Sequence, residues 1–369
     1  MRRLVTYIHE HKKWPGFTWN NDDLLPLLIN VRHKQGRLKG YMEMLGFVMR
    51  NETTLQTLTT DVLKSTEIEG EFLNPLQVRS SIARRLGIEI AGLVKADRDV
   101  EGVVEMMLDA TQNYTKALTK DRLFGWHSAM FPSGRSGIHK ITVGDWRKSD
   151  KGPMQVVSGA MGKEKVHFEA PDSDRLAAEM KAFLKWLNTA NELDAVLKSA
   201  IAHLWFVTLH PFDDGNGRIA RTIADMQLAK ADDDAQRFYS MSAQIRVERK
   251  TYYEILEKTQ KGNLDITAWM LWYLNCLDRA LNTTDKRIQN VLKKTKFWDK
   301  HMKAEVNERQ RLMINKLFDG FDGKLTSSKW AKINKCSTDT ALRDIQDLMQ
   351  KKILQKEDAG GRSTSYVLK

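Results

Sequence analysis

The chain has 369 residues, 41% of them hydrophobic, with 10 Trp and 13 Phe, which suits a globular protein and excludes wholesale disorder. Its net charge is +12, and no apolar run approaches the ~18 residues that a membrane-spanning helix requires. The two cysteines, Cys276 and Cys336, match neither a metal-site spacing nor a disulfide framework, so a cytoplasmic protein with two ordinary thiols is expected.

The opening, MRRLVTYIHEHKKW, has charge but no unbroken apolar segment, and no signal peptide is expected. Only 7 Pro, with many Leu-, Ala-, Lys- and Glu-rich windows, lean the chain towards helix. A first helix is expected through NDDLLPLLINVRHKQGRLKGYMEMLGF, capped by Asn21 or Asp22. A second runs through NETTLQTLTTDVLKSTEIEG and stops at Gly70, although Thr57, Thr59 and Thr60 weaken it. NPLQVRSSIARRLGI begins a third, with Asn74 as cap and Pro75 in its first turn. A fourth is expected over 100–117 behind Asp99.

Between Ser133 and Pro171 the character changes. Many glycines surround two strand-like pieces, HKITVG and MQVVSG, which read as the arms of a β-hairpin in an otherwise helical domain. Helical periodicity returns in SDRLAAEMKAFLKWLNTA and DAVLKSAIAHLWFVTLH. TYYEILEKTQKGNLDITAWMLWYLNCLDRAL then supplies two helices broken at Gly262. After Ala280 a long charged helix reads as a connector. The remainder is helix, turn, helix, short turn, helix and two strands around EDAGGRST, the order of a winged helix-turn-helix. Residues 286–369 hold 20 Lys and Arg against 10 Asp and Glu, so most of the excess positive charge lies there.

One stretch stands apart: TLHPFDDGNGRIARTIADMQLAKA, from Thr208 to Ala231. A hydrophobic helix ends near Leu209, and a second starts around Arg218. Gly215 and Gly217 between them allow successive N–H groups to face one concavity. The partial positive charge of the next helix completes an anion site, with phosphate its usual occupant. Arg218 and Arg221, three residues apart, suit a polyphosphate better than one carboxylate. Asp214 has the wrong sign for a bare phosphate and is the candidate ligand of a bridging Mg2+. His210 is the candidate proton acceptor, with a pKa expected near neutral. Phe212 is expected to anchor the loop in the core, with Asp213 pointing elsewhere. Base, metal ligand, phosphate nest and two arginines amount to phosphoryl or nucleotidyl transfer.

The run His210-Pro211-Phe212-Asp213-Asp214-Gly215-Asn216-Gly217-Arg218-Ile219-Ala220-Arg221 resembles, without departure, the motif of the Fic family, HPFx(D/E)GNGRxxR. That resemblance implies a mainly helical Fic-fold bundle that transfers AMP from ATP to a Ser, Thr or Tyr hydroxyl of a target protein. In it His210 deprotonates the hydroxyl, Asp214 holds Mg2+, and Asn216 with the Gly215 and Gly217 backbone holds the phosphates. Arg218 then meets the β-phosphate and Arg221 the γ-phosphate. The hairpin becomes a flap that binds the target main chain as an added strand, with Val156 or Val157 over the site. YYEILEKTQKGN resembles the adenosine pocket, lined by Tyr253, Leu256 and Gln260; helical spacing alone reads Tyr253 and Leu256 equally well as core.

STEIEG, from Ser65 to Gly70, resembles the family's inhibitory motif through Ser65, Glu69 and Gly70. The resemblance implies that Glu69 pairs with Arg221 and blocks the γ-phosphate position, the class II arrangement in which the brake precedes the catalytic motif. Glu67 and Glu71 are expected on other faces of that helix. Trp14 and Trp19, in a stretch similar to the N-terminal extension of a bacterial Fic subgroup, are expected to pack into its core.

The expected organisation is an N-terminal helical domain (1–99), a catalytic domain (100–282), a helical linker (283–305) and a winged-helix-like domain (306–369). Partners implied are protein substrates, the chain itself among the candidates, with a homodimer also open and no membrane. The third helix of the tail, STDTALRDIQDLMQ, shows Asp339, Asp344 and Asp347 with only Arg343 and Gln346 as readers. Sequence-specific DNA binding is therefore disfavoured against dimerisation or partner docking. Three other readings remain: removal of AMP with Glu69 positioning water, a nucleotide-sensing DNA-binding regulator, and a metallohydrolase on His203, His210 and Asp214.

Overall fold

A computed structural model describes residues 6–44, 47–148, 152–159, 162–190, 192–302, 304–318, 321–357 and 364–369. The chain is mainly helical, with three short antiparallel strand pairs among the described residues. It divides into two compact units, Met1–Thr284 and Asp285–Lys369. No helix among the described residues is long and apolar enough to cross a membrane.

In the first unit, α1 (Asn21–Glu43) starts one residue earlier than expected, because the Asn20 side chain accepts the Asp22 N–H at 3.0 Å. α2 (Phe47–Ile68) stays helical despite its threonines. The hydroxyls of Thr53, Thr54, Thr59, Thr60 and Thr66 each donate to the carbonyl four residues back. α3 (Pro75–Leu86) has Asn74 as its N-cap and a left-handed Gly87 after its last turn. α4 (Arg98–Gln112) begins and ends earlier than the sequence suggests, and α5 (Lys120–Met130) packs on it.

The core of this unit is the pair α7 (Ala195–Leu209) and α8 (Asn216–Asp232). Every α7 residue except Ala195 is buried, as an all-round apolar helix should be. α6 (Ser173–Asn188) packs against α7, and α4 against α8. α9 (Met241–Val247), unmarked in the sequence, lies along α2. α10 (Arg249–Gln260) precedes α11 (Thr267–Lys300), which is one continuous helix rather than a helix and a separate connector after Ala280.

A buried ion trio ties α2 to α8. Arg237 meets Asp61 of α2 at 3.2 Å and Asp225 of α8 at 2.7 Å. Two carboxylates share one guanidinium, and burial pushes the Asp61 carboxyl up to about 7.

The expected hairpin is re-paired. HKITVG supplies only β2 (His139–Lys140), which pairs with β1 (Arg135–Ser136). The partner of β3 (Gln155–Ser158) is β4 (Lys165–Glu169), so KVHFE and not HKITVG forms the second arm. Residues 141–147 have other bonds to make: the Thr142 N–H goes to Asp213, that of Gly144 to His127, and that of Arg147 to the Pro211 carbonyl. Residues 149–151 and 160–161 of this stretch lie outside the described residues. Trp14 stacks edge-on against Phe17 and Trp205, whereas the Trp19 indole stays half-exposed and donates to Asn21, not into the core.

The second unit holds α12 (Glu308–Phe318), α13 (Ser327–Asn334), α14 (Thr338–Gln350), and the paired strands β5 (Leu354–Lys356) and β6 (Tyr366–Leu368). Its core gathers Met313, Ile314, Trp330, Ile345, Leu348 and Tyr366, among others. Residues 358–363, most of the expected turn between the strands, lie outside the described residues.

Candidate active site

The connector between α7 and α8 is held by its own side chains. Phe212 is fully buried and stacks on His127 at 4.2 Å. Asn216 accepts the Phe212 N–H at 2.9 Å and donates to the Phe212 carbonyl at 2.8 Å. The Asn216 amide thus closes the loop on itself. Gly215 sits at φ +81, and a Cβ there would stand 2.9 Å from Met130 and 3.0 Å from Phe131; only glycine fits.

His210 caps α7 in the left-handed region, at φ 48 and ψ 57, a strained conformation for a non-glycine residue. Arg147 offsets that strain. Buried at 4% exposure, it donates from Nε to the His210 carbonyl at 2.8 Å and from its N–H to the Pro211 carbonyl at 2.9 Å, and its guanidinium also reaches the Pro171 carbonyl.

The His210 Nδ1 lies 3.2 Å from the Val207 carbonyl. A carbonyl only accepts, so Nδ1 carries the hydrogen and Nε2 keeps its lone pair. Burial pushes this imidazole down to about 4, although the Val207 carbonyl pulls the other way. The near-neutral value expected from sequence is therefore corrected: desolvation of the charged form outweighs the neighbouring carbonyl. His127 is also held neutral, pushed by burial to about 4. Its Nδ1 accepts the Gly144 N–H, so its Nε2 donates to the Asp214 carbonyl at 3.2 Å.

Arg218 and Arg221 are almost fully buried on the first turns of α8. Arg221 meets Glu69 at 2.7 Å, and its Nε and Nη2 donate to the hydroxyl and carbonyl of Ser65 at 2.9 and 2.8 Å. Glu69 also faces the Tyr253 hydroxyl at 3.3 Å. A Cβ on Gly217 would stand 2.2 Å from the Glu69 Oε1, so the missing side chain is what admits the carboxylate.

The surprise is Glu71. α2 ends at Ile68 and Gly70 turns at φ +89, so Glu71 is not on a helical face at all. Its carboxylate meets the Arg218 Nη1 at 2.6 Å. Glu67 stays on the helix and pairs with Lys64. One tight turn therefore delivers two carboxylates to two guanidiniums. The sequence showed them as EGE but gave no reason to set Glu71 opposite Arg218. The Arg218 Nε is buried without an acceptor among the described residues, an orphan donor that an anion would satisfy.

Asp214 is partly exposed, accepts from the Ser136 hydroxyl, and lies 3.9 Å from the Arg218 guanidinium. Asp213 turns away to accept the Thr142 N–H. No cluster of three His, Cys, Asp or Glu suited to a metal occurs among the described residues. One exposed carboxylate beside an anion cradle nevertheless fits Mg2+, which takes one or two carboxylates together with phosphate oxygens. A cavity of about 480 Å3 opens beside Arg218, lined among others by Glu71, Arg98, Phe131, Arg135 and Ser136.

Of the three residues expected to contact adenosine, Tyr253 faces Glu69. Leu256 is buried, and Gln260 is buried and donates to the Thr208 hydroxyl at 3.2 Å. His203 is buried against the Tyr252 hydroxyl at 2.8 Å, and burial pushes it down to about 3. On β3, Val156 packs towards Phe168 and Tyr7 while Val157 is half-exposed.

A helical bundle with an anion cradle beside a neutral histidine defines the class. Residues 117–228 match the Fic/DOC family, and residues 7–88 match a domain of unknown function, DUF4172. The chain therefore carries a Fic/DOC family domain.

Among curated proteins, 232 residues are 32% identical to protein adenylyltransferase Fic of Drosophila grimshawi, covering 60% of this chain and 41% of that protein. The Drosophila mojavensis counterpart is 25% identical over 226 residues, at 60% and 40% coverage. The chain spans about two fifths of the length of these relatives.

Among solved structures, a Fic family protein from Desulfovibrio desulfuricans G20 superposes with a TM-score of 0.56 at 21% identity, covering 96% of this chain and 98% of that one. A Fic domain containing signaling protein from Bacteroides thetaiotaomicron VPI-5482 gives 0.52 at 18% identity, over 70% and 98%. These likenesses establish the fold.

Proposed function

We propose that the chain is a protein AMP transferase held off by its own α2, the class II arrangement. The observation that carries this reading is the Glu69–Arg221 pair at 2.7 Å, a carboxylate seated over Gly217 where a phosphate would lie. ATP is the donor, and Asp214 would hold the Mg2+ that screens its phosphates. Arg218 and Arg221 bind the β- and γ-phosphates once the carboxylates leave. The backbone of Gly215 and Gly217 and the start of α8 bind the rest of the chain of phosphates.

The target hydroxyl oxygen forms a bond to the α-phosphorus, its proton passes to the His210 Nε2, and the bond from that phosphorus to the bridging oxygen breaks to release pyrophosphate. The open edge of β3 offers main-chain groups to the target, with Val156 and Val157 beside it. Tyr253, with Leu256 and Gln260 behind it, is the adenosine contact. The domains follow suit: a brake-bearing region to residue 99, a catalytic region to 282, a linker to 305 and a winged-helix-like tail.

The test is transfer of label from α-32P-ATP to the chain or to proteins of a lysate by wild type, Glu69→Gly and Glu69→Gly/His210→Ala. Label in the second alone supports the reading. Equal label in the first two sinks the brake, and label surviving in the third sinks the base. Because Glu69 is fixed by Arg221 and Tyr253, it also has what a water-positioning base needs for the reverse outcome, AMP removal. Release of AMP from a labelled target by wild type but not by Glu69→Gly distinguishes that reaction.

A further inference from the structure

Of the three acidic residues that argue against DNA on α14, Asp344 faces inward, Asp347 is partly exposed but paired, and Asp339 is exposed. Asp344 is 6% exposed. It accepts from Arg309 at 2.8 and 3.0 Å and from Asn307 at 2.8 Å. Asp347 accepts from Gln310 at 2.7 Å and Lys351 at 2.6 Å. Asp344 is thus paired with Arg309 of α12, and Asp347 with Lys351 just after α14. The sequence could not separate these inner positions from the outer ones without knowing which face α12 covers.

The exposed face carries Asp339, Leu342, Arg343, Gln346 and Gln350. Among the described residues, the side chains of Arg343, Gln346 and Gln350 find no hydrogen-bond or ion-pair partner. They follow one stripe, at intervals of three and four residues. Lys332 and Lys335, at the end of α13 and in the three-residue turn before α14, are exposed, as is Lys352 two residues after α14.

We propose that this face of α14 docks double-stranded DNA, with Arg343, Gln346 and Gln350 on base edges in the major groove and Lys332, Lys335 and Lys352 on phosphates. At a rise of ~1.5 Å per residue, the stretch from Arg343 to Gln350 spans roughly 10 Å, or about three base steps at ~3.4 Å each. Arginine matches the two acceptors of guanine, glutamine the acceptor and donor of adenine, and Leu342 the thymine methyl.

Asp339 is the one outward acid and can accept from a cytosine amino group. An acidic protein would call for cations alone. Two unpartnered carboxamides, each both donor and acceptor, favour bases. The net charge of +10 over residues 286–369 supplies the attraction to the phosphate backbone.

The experiment uses the full chain and a fluorescein-labelled duplex pool with a randomised centre, read by anisotropy between 50 and 200 mM KCl. Three phosphate contacts give a log–log salt slope of about −2.7, or roughly a fortyfold loss over that range. Lys332→Ala/Lys335→Ala should shallow the slope by about 2. Arg343→Ala should weaken binding to the enriched sequence about tenfold and relax selection at one base pair. Gln350→Ala should relax a second.

Absence of binding at 50 mM KCl overturns the proposal, as does unchanged binding by Arg343→Ala. So does an equal loss in Lys12→Ala/Lys13→Ala, two exposed lysines of the other unit, or competition by polyglutamate as strong as by unlabelled duplex. The outcome is independent of His210 and Glu69, so it neither rescues nor harms the reading of the active site.

Discussion

Removing Glu71 tests whether the plug has one tooth or two. Arg218 is buried, and the Glu71 side chain is 48% exposed, with 2.6 Å between them. Hydrogen bonds to charged groups are worth about 1.5–3 kcal/mol, and exposed ion pairs about 0.2–1 kcal/mol. A half-exposed pair with one buried partner falls between, at about 1.4 kcal/mol, or tenfold in an equilibrium. The Glu69–Arg221 pair is more enclosed, at 30% and 2% side-chain exposure, and about 2.8 kcal/mol gives a hundredfold.

Each carboxylate must leave its guanidinium before a phosphate enters, so nucleotide affinity is reduced by the fraction of time the site is plugged. Calorimetric titration with a non-hydrolysable ATP analogue and Mg2+ should then show Kd lower by about tenfold in Glu71→Ala and about a hundredfold in Glu69→Gly. The double variant should gain more than either single one. The two shifts will not simply add, because one turn carries both residues. If Glu71→Ala leaves Kd unchanged in both the wild-type and the Glu69→Gly backgrounds, the second tooth does not exist and Glu71 is only a surface partner of Arg218.

Three further outcomes follow from the same geometry. In the Glu69→Gly background, His210→Ala should cut transfer by about 10²–10⁴ while leaving nucleotide Kd within threefold, since Nε2 touches the hydroxyl and not the phosphates. Gly217→Ala places a methyl where the Glu69 carboxylate sits, so it should release the brake. It should also stay inactive even with Glu69→Gly, because the same methyl fills the phosphate position; activity in that double variant would refute the shared-position argument.

Stability should fall as pH drops from about 6.5 towards 4. Burial holds His9, His127 and His210 down at about 4 and His203 at about 3. These four groups stand against the two carboxyls it raises furthest, Asp61 to about 7 and Asp232 to about 6, so the unfolded chain binds more protons across that window and acid favours unfolding. Differential scanning calorimetry at pH 7, 6, 5 and 4.5 should show Tm declining. A flat profile would mean these imidazoles have room to charge.

The sequence alone determined the chemistry-bearing loop, because its parts are local. Twelve consecutive residues, from His210 to Arg221, carry base, carboxylate, glycines and arginines, and short spacing leaves little for the fold to change. Helices such as α3 and α7 were legible for the same reason: cap, apolar spacing and stop lie within one segment.

Tertiary structure decided everything that depends on a distant partner. The 147-residue separation between Glu71 and Arg218 hid their pairing. The engagement of the Asn216 amide with the Phe212 backbone shows only in the folded loop. The pKa of His210 moved because burial, which no local pattern reports, outweighed its neighbours. The strand partner of β3 changed because N–H groups of residues 141–147 were engaged elsewhere, those of Thr142 and Arg147 with the active loop and that of Gly144 with His127. Spacing along the chain fixes which groups are available, while desolvation and pairing across the fold fix which of them remain free to act.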